Sequence, residues 1–115
     1  MTLSEFERKR HEKAANAFIK RVRPQGHIRH QLDISYRLTD QSIEVMEIRP
    51  KWNDPSVFRE HLIAKATWTK TTQVWKVYWM RSDQKWHRYE PMPEVPHLED
   101  FLSLVEKDEF ACFWG

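Results

Sequence analysis

Glycine is nearly absent: the chain of 115 residues holds Gly26 and Gly115 and no other. A phosphate-binding P-loop, a dinucleotide-binding turn and a nucleophile elbow each need two or three internal glycines, so none of them can be built. Cysteine is scarcer still. The single Cys112 excludes an intramolecular disulfide, a zinc ribbon and a Cys-x-x-Cys redox pair. No apolar run approaches the ~20 residues of a membrane span. The opening Met1-Thr2-Leu3-Ser4-Glu5 lacks the basic-then-apolar pattern of a secretion signal. The expected compartment is the cytosol, with no membrane association. Repeats, low-complexity tracts and Gly/Ser linkers are missing too, so residues 1–115 are read as a single domain.

Aromatic residues are plentiful: Trp 6, Phe 6 and Tyr 3. Net charge is only +2, but it is unevenly spread. Residues 1–30 carry +5, 31–60 carry −2, 61–90 carry +4 and 91–115 carry −5. Such asymmetry marks either a basic binding surface or two ends that attract each other.

Periodicity predicts a helix over 4–22. Ser4 and Glu7 have capping-box spacing, and Phe6, Ala14, Ala17, Phe18 and Val22 make a broad apolar stripe. Pro24 and Gly26 stop it. Residues 31–49 alternate as a hairpin turning at 39–42, with Leu38 opposite Ile43, Tyr36 opposite Val45 and Arg37 opposite Glu44. Pro50 to Pro55 reads as a loop, with a short helical turn near 56–60. Turns at Thr71-Thr72 and Ser82-Asp83 divide 62–90 into three strands. Trp68 then faces Trp75, Ala66 faces Val77, and Ala64 faces Trp79, which in turn faces Trp86. Small Ala beside large Trp is what a packed layer requires. Pro91, Pro93 and Pro96 make an extended connection to a helix over 97–107, where Leu98, Phe101, Leu102 and Val105 share one face. The tail, Phe110–Trp114, is too apolar for a solvated end. It packs either on the core or on a second chain, as a homodimer contact. The expected fold class is α+β, about five antiparallel strands with terminal helices on one face.

Several segments are distinctive: Trp75 to Arg81, Lys85 to Pro91, Glu47 to Pro55, Asp108 to Gly115, and Ser4-Glu5-Phe6-Glu7-Arg8. Together they resemble the small bacterial family known as domain of unknown function 3024, over nearly the whole chain. The resemblance implies a stand-alone bacterial protein of about this length. It implies no activity, so no catalytic residue is carried over.

Chemistry must be sought in the residues. Under the assumed turns, Lys65, Lys76, Tyr78, Lys85, His87 and Tyr89 share the polar side of the sheet. Interleaved cations and flat rings suit single-stranded nucleic acid, where cations follow phosphates and rings stack bases. The competing reading is a solvated face, or one that the tail or a helix covers. Arg8, Lys9, Arg10, Lys13, Lys20, Arg21, Arg23 and Arg29 add a basic stretch, interrupted by Glu5, Glu7 and Glu12, that reads as a solvated helix face.

Asp33 and Glu47-Ile48-Arg49 are similar to the acidic hairpin of restriction-type nucleases. Arg49 stands where Lys is expected, however, and the register puts the two carboxylates on opposite faces. His27 and His30 lack a third ligand, and His61, His87 and His97 are scattered, so no metal or other cofactor is expected. Cys112 reads as a small buried hydrophobe, and Trp52 as the one partly exposed tryptophan or as a lid over the sheet end. The reading is a non-enzymatic nucleic-acid-binding or accessory module. The alternatives are a protein-interaction module with an apolar tail and a degenerate nuclease core.

Overall fold

A computed structural model describes residues 4–114. Ser4 caps the first helix, α1 (Glu5–Val22). Its Oγ accepts the Glu7 N–H at 3.1 Å, and the Glu7 carboxylate accepts the Ser4 N–H at 3.2 Å. The exchange satisfies two amides that a helix start leaves orphaned, and it holds the Glu7 carboxyl below its usual range. Pro24, which has no N–H to continue the ladder, follows the last turn. Ala15 and Phe18 are fully buried, with Ala14, Ile19 and Val22 packed around them. Phe6 (80% exposed) and the exposed Ala17 lie off this stripe. They miss the 3.6-residue row that passes through Ala15, Phe18 and Val22.

The strands β1 (Asp33–Leu38) and β2 (Ser42–Lys51) form the hairpin in the expected register. Next come β3 (Asp54–Thr69), β4 (Val74–Met80), β5 (Trp86–Arg88) and β6 (Glu94–Val95). All pairings are antiparallel, and β1 to β5 lie side by side in chain order. β5 and β6 share the far edge of β4, one after the other along it. Trp68 faces Trp75, Ala66 faces Val77 and Ala64 faces Trp79, as read from sequence. Trp75 is 2% exposed, and Trp68 and Trp79 are partly buried against the same core.

Two segments depart from expectation. Trp79 faces His87, and Trp86 pairs with Met80, one residue away from the expected register. The cause is the connection between β4 and β5, where Gln84 adopts a left-handed φ of 62°. Arg81 and Lys85 close it, the Arg81 N–H donating to the Lys85 carbonyl at 3.3 Å, so the loop encloses three residues, 82–84, instead of the expected two.

The second departure is 50–60, which is neither loop nor helix but strand. β2 and β3 stay paired out to Lys51 opposite Asp54, beyond the last β1 partner of β2 at Ile48 and the last β4 partner of β3 at Ala64. The result is a two-stranded arm with Trp52 and Asn53 at its tip. Pro50 and Pro55 fit there because the arm has no flanking strand to receive their N–H groups.

Both helices cover one face of the sheet. α2 (Leu98–Lys107) contributes Leu98, Phe101, Leu102 and Val105 to the cluster that holds Phe18, Ile43, Val45, Trp75 and Val77. Arg21 Nε meets Glu106 Oε1 at 3.0 Å and ties α1 to α2. Asp108 then turns the chain with φ 44°. Its carboxylate accepts the N–H groups of Phe113 at 3.0 Å and Trp114 at 2.9 Å, and Trp114 Nε1 donates to the Val105 carbonyl at 2.7 Å. The tail thus packs on its own core, with Phe113 4% exposed; Phe110, 60% exposed, and Ala111 are the exceptions. The chain is α+β, as expected. No helix among the described residues is long and apolar enough to cross a membrane.

Candidate nucleic-acid interface

Opposed residues in an antiparallel sheet share a face. On the side away from the helices, one row therefore runs across five strands: Arg37, Glu44, Lys65, Tyr78 and Arg88. A second row holds Ser42, Thr67, Lys76 and Glu94. A third holds Ser35, Met46 and Leu62 on one flank and Met80 with Trp86 on the other.

The flank formed by β1 and β2 is electrically closed. Arg37 meets Glu44 at 3.3 Å and Glu60 at 3.4 Å, and the Ser42 and Thr67 hydroxyls bond each other at 2.9 Å. The flank formed by β3, β4 and β5 is cationic and aromatic. Lys65 Nζ stands 5.5 Å from the Tyr78 ring centroid and 5.4 Å from that of Trp86, within cation–π range of both. Arg88 is exposed opposite Tyr78. Lys76 and Arg88 border a notch of about 160 Å³ between β5 and β6, with Pro93 and Glu94 on its far wall.

Lys65, Lys76 and Tyr78 are thus on the expected face, and three other expected residues are not. Tyr89 is 1% exposed and packs on Phe113 with ring centroids 4.8 Å apart, so it cannot stack a base. Burial pushes its phenol above the usual value. His87 lies opposite Trp79 on the helix side, where its Nε2 sits 2.7 Å from Asp83 Oδ2. That hydrogen bond holds the Asp83 carboxyl low. Lys85 is exposed in the loop before β5, not on the strand. One extra loop residue flips every side chain of a strand to its other face. It replaces this trio by Trp86 and Arg88, which the sequence reading missed. The only local signal was Asp83, whose Oδ1 accepts the Lys85 N–H at 3.0 Å and builds the longer loop.

The acidic hairpin does not bring Asp33 and Glu47 together. Asp33 is held by Arg23 through two hydrogen bonds of 2.7 Å, which keep its carboxyl below the usual range. Glu47 pairs with Arg49 at 3.4 Å. The two carboxylates lie on opposite faces, Asp33 facing Ile48 and Glu47 facing Ile34. The bulge at Ile63 of β3, opposite Val45 and Met46, shifts the pairing of β2 with β3 and leaves this relation intact. Among the described residues no three His, Cys, Asp or Glu side chains are grouped to hold a metal. His27 and His30 are both exposed. Burial raises the Cys112 thiol, and the Asp108 charge adds to it, opposite to what a nucleophile needs. The basic residues of α1 are partly spent on Glu12, Glu5 and Glu106.

A family model described as Domain of unknown function (DUF3024) matches residues 3–115. No curated protein and no solved structure matches the chain.

Proposed function

Since the chain belongs to the DUF3024 family, whose description assigns no activity, we propose from its surface that it binds single-stranded nucleic acid without strong sequence preference. The observation that carries the reading is Lys65, poised between the Tyr78 and Trp86 rings on the sheet face that neither helix covers. Tyr78 and Trp86 stack bases, a contact that accepts any base. Lys65, Lys76 and Arg88 pair with phosphates along the strand direction. The acids on this side, Glu44 and Glu60, already have Arg37 as partner. Glu94 remains near Lys76 and moderates the affinity.

The test is fluorescence anisotropy of labelled single-stranded RNA and DNA at two salt concentrations. Tyr78→Ala is expected to weaken binding by ~1–3 kcal/mol. Arg88→Ala is expected to flatten the salt slope by about one unit. Lys85→Ala, off this face, serves as the control and stays near wild type. Folded protein that shifts no oligonucleotide at low salt overturns the proposal.

A further inference from the structure

The arm ends in the most exposed large apolar side chain among the described residues, Trp52 at 95%. Its surroundings are basic. Lys51 adjoins it, and Arg59 stands behind it opposite Arg49, which is paired with Glu47 at 3.4 Å. The tip's one acid, Asp54, is engaged by Ser56, whose Oγ and N–H reach Oδ1 at 2.6 Å and 3.2 Å.

Elsewhere, β6, α2 and the tail enclose a groove of about 410 Å³, within the size range of pockets that hold small aromatic ligands. Its floor is apolar (Tyr89, Val95, Leu104), and Met92 and Phe110 stand 45% and 60% exposed at its edge. Glu94, Asp100 and Glu109 line it against a single Lys107. A cationic indole tip and an acid-lined apolar groove are complementary in both shape class and charge.

The two cannot meet within one chain. β3 begins at the tip with Asp54 and runs to Trp68, whose partner Trp75 pairs with Val95 of the groove. Tip and groove therefore lie at opposite ends of a molecule 45 Å long. We propose that copies of this chain associate head to tail, the arm of one seating Trp52 in the acidic groove of the next. In head-to-tail order each contact leaves a free knob at one end and a free socket at the other, so the assembly grows past two copies, unlike an antiparallel pair exchanging arms, which would close at two. Of the tail, Phe110 alone takes part, because Phe113 and Trp114 are engaged in their own chain.

The proposal is independent of nucleic-acid binding, and its test uses nuclease-treated full-length protein. Light scattering across a concentration series is expected to show an average mass that rises past two chains and falls with added salt. Trp52→Ala, which empties the knob, and Phe110→Arg, which places a cation at the socket, are each expected to weaken association at least tenfold. Both residues are exposed, so the fold is retained, as circular dichroism checks. An equimolar mixture of the two variants is expected to form a one-to-one complex and stop there, since one supplies a socket and the other a knob. A wild-type protein that stays monomeric overturns the proposal and leaves the groove to a different basic, aromatic partner. A mass that halts at two chains, a Trp52→Ala variant that assembles normally, or a mixture that stays monomeric overturns it equally.

Discussion

His11 sits on the core side of α1, edge-on to Trp75 with ring centroids 5.1 Å apart, and its Nδ1 is buried without a hydrogen-bond partner. Burial pushes the imidazole below its ordinary value of 6.5, and the charge of Arg10 adds to this, against Glu7 and Glu99. The unfolded chain therefore takes up the proton at a higher pH than the folded one. Stability is full above about 6.5 and is lost as the pH falls through the folded imidazole's lower value. His11→Phe keeps a ring against Trp75 and removes the proton site. Urea unfolding at about pH 7.5 and about pH 5 should show a smaller loss for this variant than for wild type. An equal loss in both would mean that other groups govern the acid limb.

At the scale of elements, the link between α2 and the tail rests on one side chain. Asp108 accepts the backbone N–H groups of Phe113 and Trp114. Asp108→Ala strands them and removes the polar side chain that makes the left-handed position tolerable for a residue with a Cβ. A loss of about 1–3 kcal/mol is expected from urea melts, with faster proteolysis of the tail. Asp108→Asn keeps one acceptor oxygen and tolerates the left-handed backbone, so it should lose less.

How far the elements could be read follows from similar local detail. The β1–β2 and β3–β4 registers were legible because apolar alternation on both sides agreed with a symmetric turn. The β4–β5 register was not, since Gln84 takes a left-handed φ with no glycine to announce it. That one residue moved Tyr89 into the core and brought Trp86 and Arg88 into the candidate site. The arm was hidden by Pro50 and Pro55, which argue against a strand everywhere except at unflanked edges. On α1, Phe6 and Ala17 showed that apolar identity alone does not fix which face is buried.

For the whole molecule, the segmental charges become spatial. The acidic C-terminal quarter lines the groove, and its Glu106 reaches back to Arg21 of the basic first helix. The sheet order, identical to chain order, has a further consequence in time. Each strand from β2 to β5 closes onto its predecessor through a short connection, so the meander zips with little loop entropy. Joining α1 to α2 closes a span of 85 residues, which costs roughly 2–2.5 kcal/mol more than a hairpin turn. The sheet is therefore expected to be the nucleus, with the docking of α1 after the barrier. Stopped-flow chevrons should separate the two. Ala66→Gly, on the central strand β3, should slow refolding, whereas Phe18→Leu on α1 should leave refolding nearly unchanged and speed unfolding. If Phe18→Leu slows refolding instead, the chain ends meet first and the strands assemble between them.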